Sequence, residues 1–241
     1  MKSVNPYIKP RNEMILDQLA ACGVHDPKVI AAMQKVSREA FVPEHLLGAA
    51  YEDKPLPIGE DQTISQPYIV AAMTEALGLQ GGENVLEVGT GSGYAAAVLA
   101  HIARHVHTIE RIPALARQAR ATLKRLGYRT VDVIEGDGTL GWALAAPYDA
   151  IVVTAEGPRI PPSLRAQLKP GGRLVMPLNE GRPEQVLIRV TRLADDGDRL
   201  EKLYPVHFVP LIGAEGWSPS ERSPVDDMQS ATPSRRSRHA S

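Results

Sequence analysis

Apolar residues between residue 84 and about residue 210 fall in short β-rich runs, and stretches with helical character separate these runs. Five runs come first, at residues 84–88, 106–109, 131–134, 150–153 and 173–176. Alternating strands and helices are typical of βαβ units, in which parallel strands form one sheet with helices packed on its faces. The pattern predicts an α/β fold with a doubly wound, mostly parallel sheet.

Two further β-like runs, at residues 185–191 and 200–209, follow the parallel part of the pattern. The residues between them, Ala194-Asp195-Asp196-Gly197-Asp198, favour a turn and leave no room for a crossover helix. Strands joined by so short a connection pair antiparallel. We therefore expect the sheet to end in a C-terminal antiparallel strand pair.

Residues 11–83 have a helical character that differs from the rest of the chain. Gly23 predicts the end of a first helix, because glycine readily adopts the left-handed conformation found just after helices. Asp26 followed by Pro27 predicts the start of a second helix, which extends to about Val36. This part of the chain should therefore form a helical N-terminal segment.

The chain is expected to form one domain over residues 1–217. Within it, residues 11–83 supply the helical N-terminal segment and a loop, and residues 84–213 supply the α/β core. After Trp217 the chain is rich in Ser, Pro and Arg and has hardly an apolar residue. Such a composition cannot bury enough surface to fold, so residues 218–241 are predicted to be a disordered tail.

The composition narrows the class of protein. The 241 residues carry a formal net charge of −1, which gives no reason to expect binding to nucleic acid or to a membrane surface. Cys22 is the single cysteine, which excludes an internal disulfide, and its apolar neighbours predict that it is a small buried residue. The N-terminus lacks the apolar run of a signal peptide, and no segment has the apolar length of a membrane span. We expect a cytoplasmic monomer.

A glycine loop, Gly89-Thr90-Gly91-Ser92-Gly93, connects the strand at 84–88 to a helical run that begins at Tyr94. Glycine lets a ligand approach the bare backbone, and a helix N-terminus offers unpaired N–H groups. Glu110 closes the next strand, where an acidic residue in such folds accepts hydrogen bonds from ribose hydroxyls. Asp137 follows the third strand, where a carboxylate can accept from an adenine amino group. All three sites lie at the carboxyl ends of adjacent strands, where open α/β sheets bind ligands.

Two ligands are compatible with this loop, a nicotinamide dinucleotide and S-adenosyl-L-methionine. A dinucleotide loop reads G-x-G-x-x-G/A, whereas this loop reads G-x-G-x-G with Tyr94 at the sixth position. Glu87 stands two positions before the first glycine, and the sheet ends in an antiparallel pair instead of a second mononucleotide-binding half. These three observations favour S-adenosyl-L-methionine.

Some methyl-transfer chemistries do not match the chain. Methylation of amino groups on DNA bases is associated with an Asn/Asp-Pro-Pro-aromatic motif after the fourth strand, where this chain has Val153-Thr154-Ala155-Glu156-Gly157-Pro158. Metal-assisted transfer to catechols needs clustered acidic ligands, and no such cluster stands out. The seven histidines show no metal-ligand spacing, and His107 and His207 are interpreted as strand residues. We therefore predict no metal site.

Motifs along most of the chain occur together in one known family. They are the glycine loop and the segments Val36-Ser37-Arg38-Glu39-Ala40-Phe41-Val42-Pro43, Leu56-Pro57-Ile58-Gly59, Gln62-Thr63-Ile64-Ser65-Gln66-Pro67, Gly136-Asp137-Gly138-Thr139-Leu140-Gly141-Trp142, Leu168-Lys169-Pro170-Gly171-Gly172-Arg173-Leu174-Val175 and Phe208-Val209-Pro210-Leu211. Over residues 11–213 the chain resembles the protein-L-isoaspartate (D-aspartate) O-methyltransferases, and the 62–67 segment is specific to that family. The resemblance implies a class I S-adenosylmethionine-dependent methyltransferase with a Rossmann-like fold.

The resemblance also implies an activity and a set of site residues. The methyl group of S-adenosyl-L-methionine would pass to the free α-carboxylate of L-isoaspartyl residues in damaged proteins and peptides, which initiates their repair; D-aspartyl residues stay open as a second substrate. Ser65 is the implied active-site residue, and Thr63 and Ile64 would bind substrate with it. The implied cofactor-binding residues are Gln62, Thr63, Glu87, Gly89, Thr90, Gly91, Ser92, Gly93, Glu110, Arg111, Asp137 and Gly138. Two alternatives are a family member that binds the cofactor without isoaspartyl activity and an NAD-dependent oxidoreductase.

Ser65 has three candidate roles: nucleophile, helix cap or substrate-holding group. A peptide α-carboxyl group has a pKa of about 3.3–3.7 and is already an anion at neutral pH. Because no His/Asp pair accompanies Ser65, the nucleophile is rejected. The residues alone favour a cap on a helix that begins near Pro67. The resemblance instead favours a hydroxyl that orients the substrate carboxylate, assisted by Thr63.

Asp61 and Glu156 depart from the family pattern. Many relatives carry a glycine at position 61 and small residues at position 156. A carboxylate that pointed into the pocket would repel an anionic substrate. Both side chains are therefore expected to face solvent.

Overall fold

The computed structural model describes residues 5–179 and 184–220. In these ranges the α-helices are α1 (Ile8–Glu13), α2 (Pro27–Lys35), α3 (Pro67–Leu77), α4 (Tyr94–Leu99), α5 (Pro113–Arg125) and α6 (Pro162–Ala166). The strands are β1 (Leu56–Gly59), β2 (Gln62–Ile64), β3 (Asn84–Val88), β4 (His105–Glu110), β5 (Val131–Glu135), β6 (Tyr148–Val153), β7 (Leu168–Leu178), β8 (Gln185–Arg192) and β9 (Asp198–Val206). A π-helical turn (Met14–Leu19) and 3-10 turns (Ala20–Cys22, Arg38–Phe41, Glu44–Ala49, Gly138–Leu140, Ala143–Ala145) complete the helical structure.

The central sheet contains seven strands in the order β5-β4-β3-β6-β7-β8-β9. Neighbours from β5 to β7 pair parallel, whereas β8 pairs antiparallel with both β7 and β9. Apolar residues of α3 and α4 pack on one face of the sheet, and Leu164 of α6 packs on the other. The predicted mostly parallel, doubly wound sheet with a C-terminal antiparallel pair is confirmed.

The last strand ends earlier than the hydrophobic pattern predicts. β9 stops at Val206, so His207 lies outside it, and the interpretation of His207 as a strand residue is wrong. The side-chain oxygen of Gln185 accepts the Phe208 N–H at 2.6 Å, and its amide nitrogen donates to the Phe208 carbonyl at 3.0 Å. Because these bonds satisfy backbone groups that would otherwise pair in the ladder, the chain can leave the sheet edge here.

The helix boundaries predicted near the N-terminus are confirmed. Gly23 adopts a left-handed conformation with φ of 97° and ends the first helical stretch. The Asp26 carboxylate accepts the Lys28 N–H at 2.8 Å, Pro27 is the first residue of α2, and the helix ends at Lys35. These contacts are local in sequence, so the turn and capping preferences of single residues suffice to predict them.

The helical prediction for residues 11–83 is wrong at residues 56–64, where β1 and β2 form an antiparallel hairpin. Leu56, Ile58 and Ile64 are buried and join the apolar cluster of the N-terminal segment. A short hairpin has little stability by itself and depends on such packing. The hairpin brings the segment that follows it, up to the start of α3, to the edge of the sheet where the glycine loop lies.

Cys22 is exposed, which corrects the prediction that it is buried. It belongs to the 3-10 turn Ala20–Cys22, which follows the fully buried Leu19. The turn carries residues 20–23 to the outside of the N-terminal segment, although their neighbours in sequence are apolar. The apolar neighbours of Cys22 in sequence therefore did not predict whether its thiol is buried.

Two expectations concern the chain as a whole. In residues 5–179 and 184–220, no helix combines the length and the apolar character that crossing a bilayer requires. Of the predicted disordered tail, 218–241, only residues 218–220 belong to the described ranges, and the remainder lies outside them. The prediction for the tail therefore stays a prediction.

Candidate active site

A cleft opens at the carboxyl ends of β3, β4, β5 and β6, the edge of the sheet where the glycine loop and its acidic partners were expected to meet. Its space, including the part continuous with solvent, is about 1000 Å³. Most of the predicted site residues line it together: Gln62, Thr63, Ile64, Ser65, Gly89, Thr90, Gly91, Ser92, Glu110, Arg111 and Gly138. Glu87, Gly93 and Asp137 are not part of the lining.

The glycine loop follows β3 and passes close to the end of β6. Gly89 has φ of 97°, and a Cβ atom added to it would lie 2.3 Å from Thr154 Oγ1. The Thr154 hydroxyl donates to the carbonyls of Gly89 at 2.8 Å and Val88 at 3.1 Å. Both the positive φ and the close approach require glycine at this position. The loop is therefore held against β6 with its backbone along the cleft.

Glu110, at the end of β4, is fixed by two backbone donors. The Gly91 N–H donates to Oε2 at 2.9 Å, and the Ile112 N–H donates to Oε1 at 3.0 Å. The side chain is 6% exposed and lines the cleft. Each carboxylate oxygen has lone pairs beyond the one that these bonds use, so Glu110 can still accept from a ligand hydroxyl.

Glu87 lies behind the glycine loop and is fully buried. The Thr108 hydroxyl donates to its Oε2 at 2.6 Å, and a second 2.6 Å contact joins the hydroxyls of Thr108 and Thr90. Oε1 has no hydrogen-bond partner among the described residues. Burial raises the pKa of Glu87 to about 8, the Thr108 hydrogen bond opposes this shift, and the charge of Glu110 adds to it. A chain of polar groups thus runs from the cleft, through Thr90, to a buried carboxyl group.

Asp137 is engaged by its own chain. One carboxylate oxygen accepts the Thr139 N–H at 2.9 Å and the Thr139 hydroxyl at 2.7 Å, and the other accepts the Ala214 N–H at 2.8 Å. The carboxylate therefore caps the 3-10 turn Gly138–Leu140 and holds the C-terminal segment in place. Gly138, and not the Asp137 side chain, lines the cleft at this point. Contact between Asp137 and an adenine amino group stays a prediction.

Ser65 lies between β2 and α3 and lines the cleft. The N-cap of α3 is Gln66, and α3 has no side-chain cap hydrogen bond. The Gln66 amide instead donates to Asp53 Oδ2 at 2.7 Å. The Ser65 hydroxyl has no hydrogen-bond partner among the described residues, so the helix-cap alternative has no support in the structure. A half-buried hydroxyl that faces the cleft can donate to a ligand.

The two carboxylates that depart from the family pattern differ in their surroundings. Asp61 is exposed at the tip of the hairpin with φ of 55°, as expected. Glu156 is fully buried, so the expectation that it faces solvent is wrong. The Trp217 indole Nε1 donates to Glu156 Oε1 at 3.3 Å. The chain after β9 folds back over Glu156 and covers it, and Glu156 is not among the residues that line the cleft.

The cleft also contains residues that the sequence did not identify. Residues 209–212 close one side of it. Two backbone hydrogen bonds hold them there, from the Glu156 N–H to the Val209 carbonyl at 2.8 Å and from the Leu211 N–H to the Glu156 carbonyl at 2.7 Å. The motif that contains Val209 and Leu211 was part of the family resemblance, but its position against the end of β6 depends on residues far away in sequence.

Tyr94, another lining residue without a predicted role, forms part of the cleft wall at the start of α4. The tyrosine is fully buried, and its ring lies 4.8 Å from the guanidinium carbon of Arg38, which is also fully buried. The side chain of Arg38 donates from Nε to the Ala50 carbonyl at 2.8 Å. A cation–π contact therefore ties the cleft wall to the N-terminal segment.

Comparisons with known proteins agree with this geometry. The sequence profile of the family described as Protein-L-isoaspartate(D-aspartate) O-methyltransferase matches residues 10–216. A protein-L-isoaspartate O-methyltransferase of Rhodopseudomonas palustris is 61% identical over 208 residues, covering 86% of this chain and 95% of the relative. Protein-L-isoaspartate O-methyltransferase 2 of Pelobacter propionicus is 58% identical over 207 residues, covering 86% of this chain and 92% of the relative.

Solved structures show the same relationship. A protein-L-isoaspartate O-methyltransferase superposes with a TM-score of 0.78 at 30% identity, covering 86% of this chain and 67% of the other. A Plasmodium falciparum protein assigned to the same enzyme class, in complex with S-adenosyl-L-homocysteine, superposes with a TM-score of 0.71 at 25% identity, covering 87% and 99%. Together with the profile match over nearly all of the described residues, these relatives establish that the chain belongs to the protein-L-isoaspartate(D-aspartate) O-methyltransferase family.

Proposed function

We propose that the cleft binds S-adenosyl-L-methionine along the glycine loop and Glu110, and that Ser65 holds the substrate carboxylate there. The enzyme methylates the α-carboxylate of L-isoaspartyl residues in damaged proteins and peptides, the activity of its family. The placement of the substrate carboxylate at Ser65 rests on one observation above all. The Ser65 hydroxyl lines the cleft and has no hydrogen-bond partner within the described part of the chain.

The residues of the cleft fit the cofactor. Its ribose hydroxyls need an acceptor, and the Glu110 carboxylate is held at the cleft by two backbone N–H groups. Glu87 does not line the cleft, so contact between its carboxyl group and the cationic part of the cofactor stays a prediction. Ile109 and Leu211 add apolar surface to the lining, against which an aromatic base can pack. When bound, the cofactor supplies an electrophilic methyl group.

The residues around Ser65 must orient the substrate carboxylate and keep water away from it. The carboxylate is ionised at neutral pH, so no side chain has to remove a proton. A hydrogen bond from Ser65 Oγ to one carboxylate oxygen would fix the direction in which the other oxygen points, and Thr63 and Ile64 flank this position in the cleft wall. Orientation of this kind lowers a barrier without any covalent step on the enzyme.

Residues 209–212 contribute by closing the cleft on one side. Excluding water strengthens the hydrogen bond that holds the carboxylate and removes a competitor for the methyl group. The closure depends on the backbone bonds of Glu156 to Val209 and Leu211. Glu156 thereby supports the cleft through its backbone, while its buried side chain stays outside the lining.

We further propose that the enzyme acts as a cytoplasmic monomer, with damaged proteins and peptides as its only macromolecular partners. The near-zero net charge supports the absence of a nucleic-acid or membrane partner. D-aspartyl peptides are to be tested beside L-isoaspartyl peptides as a second substrate.

An assay with a matched peptide pair tests the proposed function. The protein is incubated with methyl-labelled S-adenosyl-L-methionine and with peptides that differ only in an L-isoaspartyl or a normal aspartyl residue. We expect base-labile label on the isoaspartyl peptide alone. Calorimetry should show binding of S-adenosyl-L-homocysteine and no binding of NAD. Binding of S-adenosyl-L-homocysteine without labelling of the isoaspartyl peptide would identify a family member that has lost the activity.

A further inference from the structure

Three side chains with metal-ligand chemistry meet in the amino-terminal halves of β4 and β5, away from the cleft at the carboxyl ends of these strands. His105 and His107 are two residues apart in β4, so their side chains lie on the same face of the sheet. Asp132 of the neighbouring β5 stands opposite His107 in the strand register. Glu110, which lines the cleft, follows His105 by five positions and His107 by three along β4, which corresponds to roughly 16 Å and roughly 10 Å at the rise of a strand. The cluster is therefore separate from the methyl-transfer site.

The donor atoms of these side chains lie close together. His105 Nε2 is 2.8 Å from Asp132 Oδ2, and His107 Nδ1 is 3.8 Å from the same oxygen. The two imidazole rings have centroids 4.5 Å apart, and no two of the three donor atoms are more than 4.8 Å apart. In a tetrahedral zinc site with metal–ligand distances of about 2.0–2.1 Å, neighbouring donors are about 3.3 Å apart. Rotations that move the donors by about 1 Å would bring them to that spacing.

The strands hold the cluster in a way that permits this adjustment. The His107 side chain is 14% exposed, and its ring packs edge-on against Tyr148 with centroids 5.9 Å apart. Asp132 is 61% exposed and His105 is 33% exposed, so both side chains can turn toward a shared ion. Packing thus fixes the position of His107, whereas the side chains of His105 and Asp132 can adjust. Parallel pairing of β4 with β5 keeps all three on a rigid base.

We propose that His105, His107 and Asp132 bind one divalent transition-metal ion, such as Zn²⁺, with water completing its coordination. Two imidazoles and one carboxylate suit zinc, copper, nickel and cobalt, whereas Mg²⁺ and Ca²⁺ prefer oxygen ligands alone. The ion links the edge strand β5 to β4 and stabilises the folded protein. Such a role is independent of methyl transfer. The competing explanation is a simple hydrogen-bonded pair of His105 and Asp132.

Titration calorimetry with ZnCl₂ at pH 7.5 tests the site in the full-length protein. We expect one Zn²⁺ per chain in the wild type, and an affinity at least tenfold lower in His107→Asn and in Asp132→Asn. His25→Asn is the matched control, because His25 is exposed and lies outside the cluster; its affinity should equal that of the wild type. Cobalt in place of zinc should give visible absorption bands in the wild type and lose them in the two cluster variants.

Thermal unfolding gives a second measurement that does not depend on activity. At a zinc concentration about 100 times the dissociation constant, the melting temperature of the wild type should rise by about 5–10 °C. The cluster variants should show little rise, while their affinity for S-adenosyl-L-homocysteine confirms that they are folded. If His107→Asn does not fold, Asp132→Asn decides, because its side chain is at the exposed edge. No saturable binding below about 1 mM Zn²⁺, or equal affinity in Asp132→Asn, would overturn the proposal.

Discussion

Replacement of Glu87 by glutamine tests whether the carboxyl group beneath the glycine loop is protonated in the folded protein. Glu87 is fully buried, and burial raises its pKa from about 4.5 to about 8. Thr108 donates to one of its oxygens, and the other has no partner among the described residues. Glutamine keeps the shape and the acceptor oxygen of the protonated acid, but it has no proton to lose. The variant therefore isolates the cost of ionising Glu87.

The sign and size of the effect follow from the two pKa values. Between pH 4.5 and pH 8 the unfolded chain has lost the Glu87 proton and the folded chain has kept it. Because the unfolded state then binds fewer protons, the contribution of Glu87 to the free energy of unfolding falls as pH rises, by about 1.4 kcal/mol per pH unit. From pH 6.0 to pH 7.5 the wild type should lose about 2 kcal/mol relative to Glu87→Gln.

Urea unfolding of the cofactor-free protein at these two pH values measures this difference. The control is Glu135→Gln, since Glu135 is exposed at the end of β5 and its substitution should leave the pH dependence unchanged. We expect Glu87→Gln to gain stability over the wild type as pH rises, and Glu135→Gln to gain none. Parallel pH profiles for the wild type and Glu87→Gln would refute it, because Glu87 would then titrate in the folded protein as it does in the unfolded chain.

Three further predictions concern the loop, the C-terminal segment and the tail. Gly89→Ala should reduce affinity for S-adenosyl-L-homocysteine at least tenfold in calorimetry, because the added Cβ atom would lie 2.3 Å from Thr154 Oγ1. The control is Gly82→Ala, which should bind normally, because Gly82 also has a positive φ but a Cβ atom added there would meet nothing within 4 Å. Trp217→Phe should lower the free energy of unfolding by about 1–3 kcal/mol, because a donor to the buried Glu156 is lost; unchanged urea unfolding would contradict this. Deleting residues 218–241 should change neither melting temperature nor turnover, and a drop of several degrees would show that the tail packs on the domain.

The parallel sheet was predictable because each strand carries its own signal. The runs at β3 to β7 are rich in β-branched and other apolar residues, and a connection too short for a helix decides that β8 and β9 run antiparallel. The hairpin at residues 56–64 was missed because its residues include Pro57 and Gly59, which are typical of loops. Its stability comes from packing against the N-terminal segment, and such packing is not visible in local sequence.

The site shows the same division between local and distant contacts. The position of Glu110 follows from the rule that ligands bind at the carboxyl ends of parallel strands. The burial of Glu156 did not follow, because it depends on how the chain folds back after β9 and places Trp217 against it. His105 and His107 lie on the same face of β4 because they are two positions apart in one strand, and the sequence shows this. Asp132 lies beside them only because β5 pairs with β4, and the sequence did not show the register of that pairing.

Ser65→Ala tests whether the Ser65 hydroxyl holds the substrate carboxylate. One charge-assisted hydrogen bond would be lost, worth roughly 1.5–3 kcal/mol. At a factor of ten per 1.4 kcal/mol, kcat/KM should fall about ten- to a hundred-fold or somewhat more. The melting temperature should change little, because Ser65 caps no helix.

The direct measurement is kcat/KM on an L-isoaspartyl peptide beside the dissociation constant of S-adenosyl-L-homocysteine, for the wild type and Ser65→Ala. If Ser65 holds the carboxylate, catalytic efficiency falls within that range while the dissociation constant changes much less. Complete loss of turnover with intact cofactor binding would point to a nucleophilic serine. Near-normal kcat/KM with a lowered melting temperature would mean that Ser65 has only a structural role, and would contradict the placement of the substrate carboxylate.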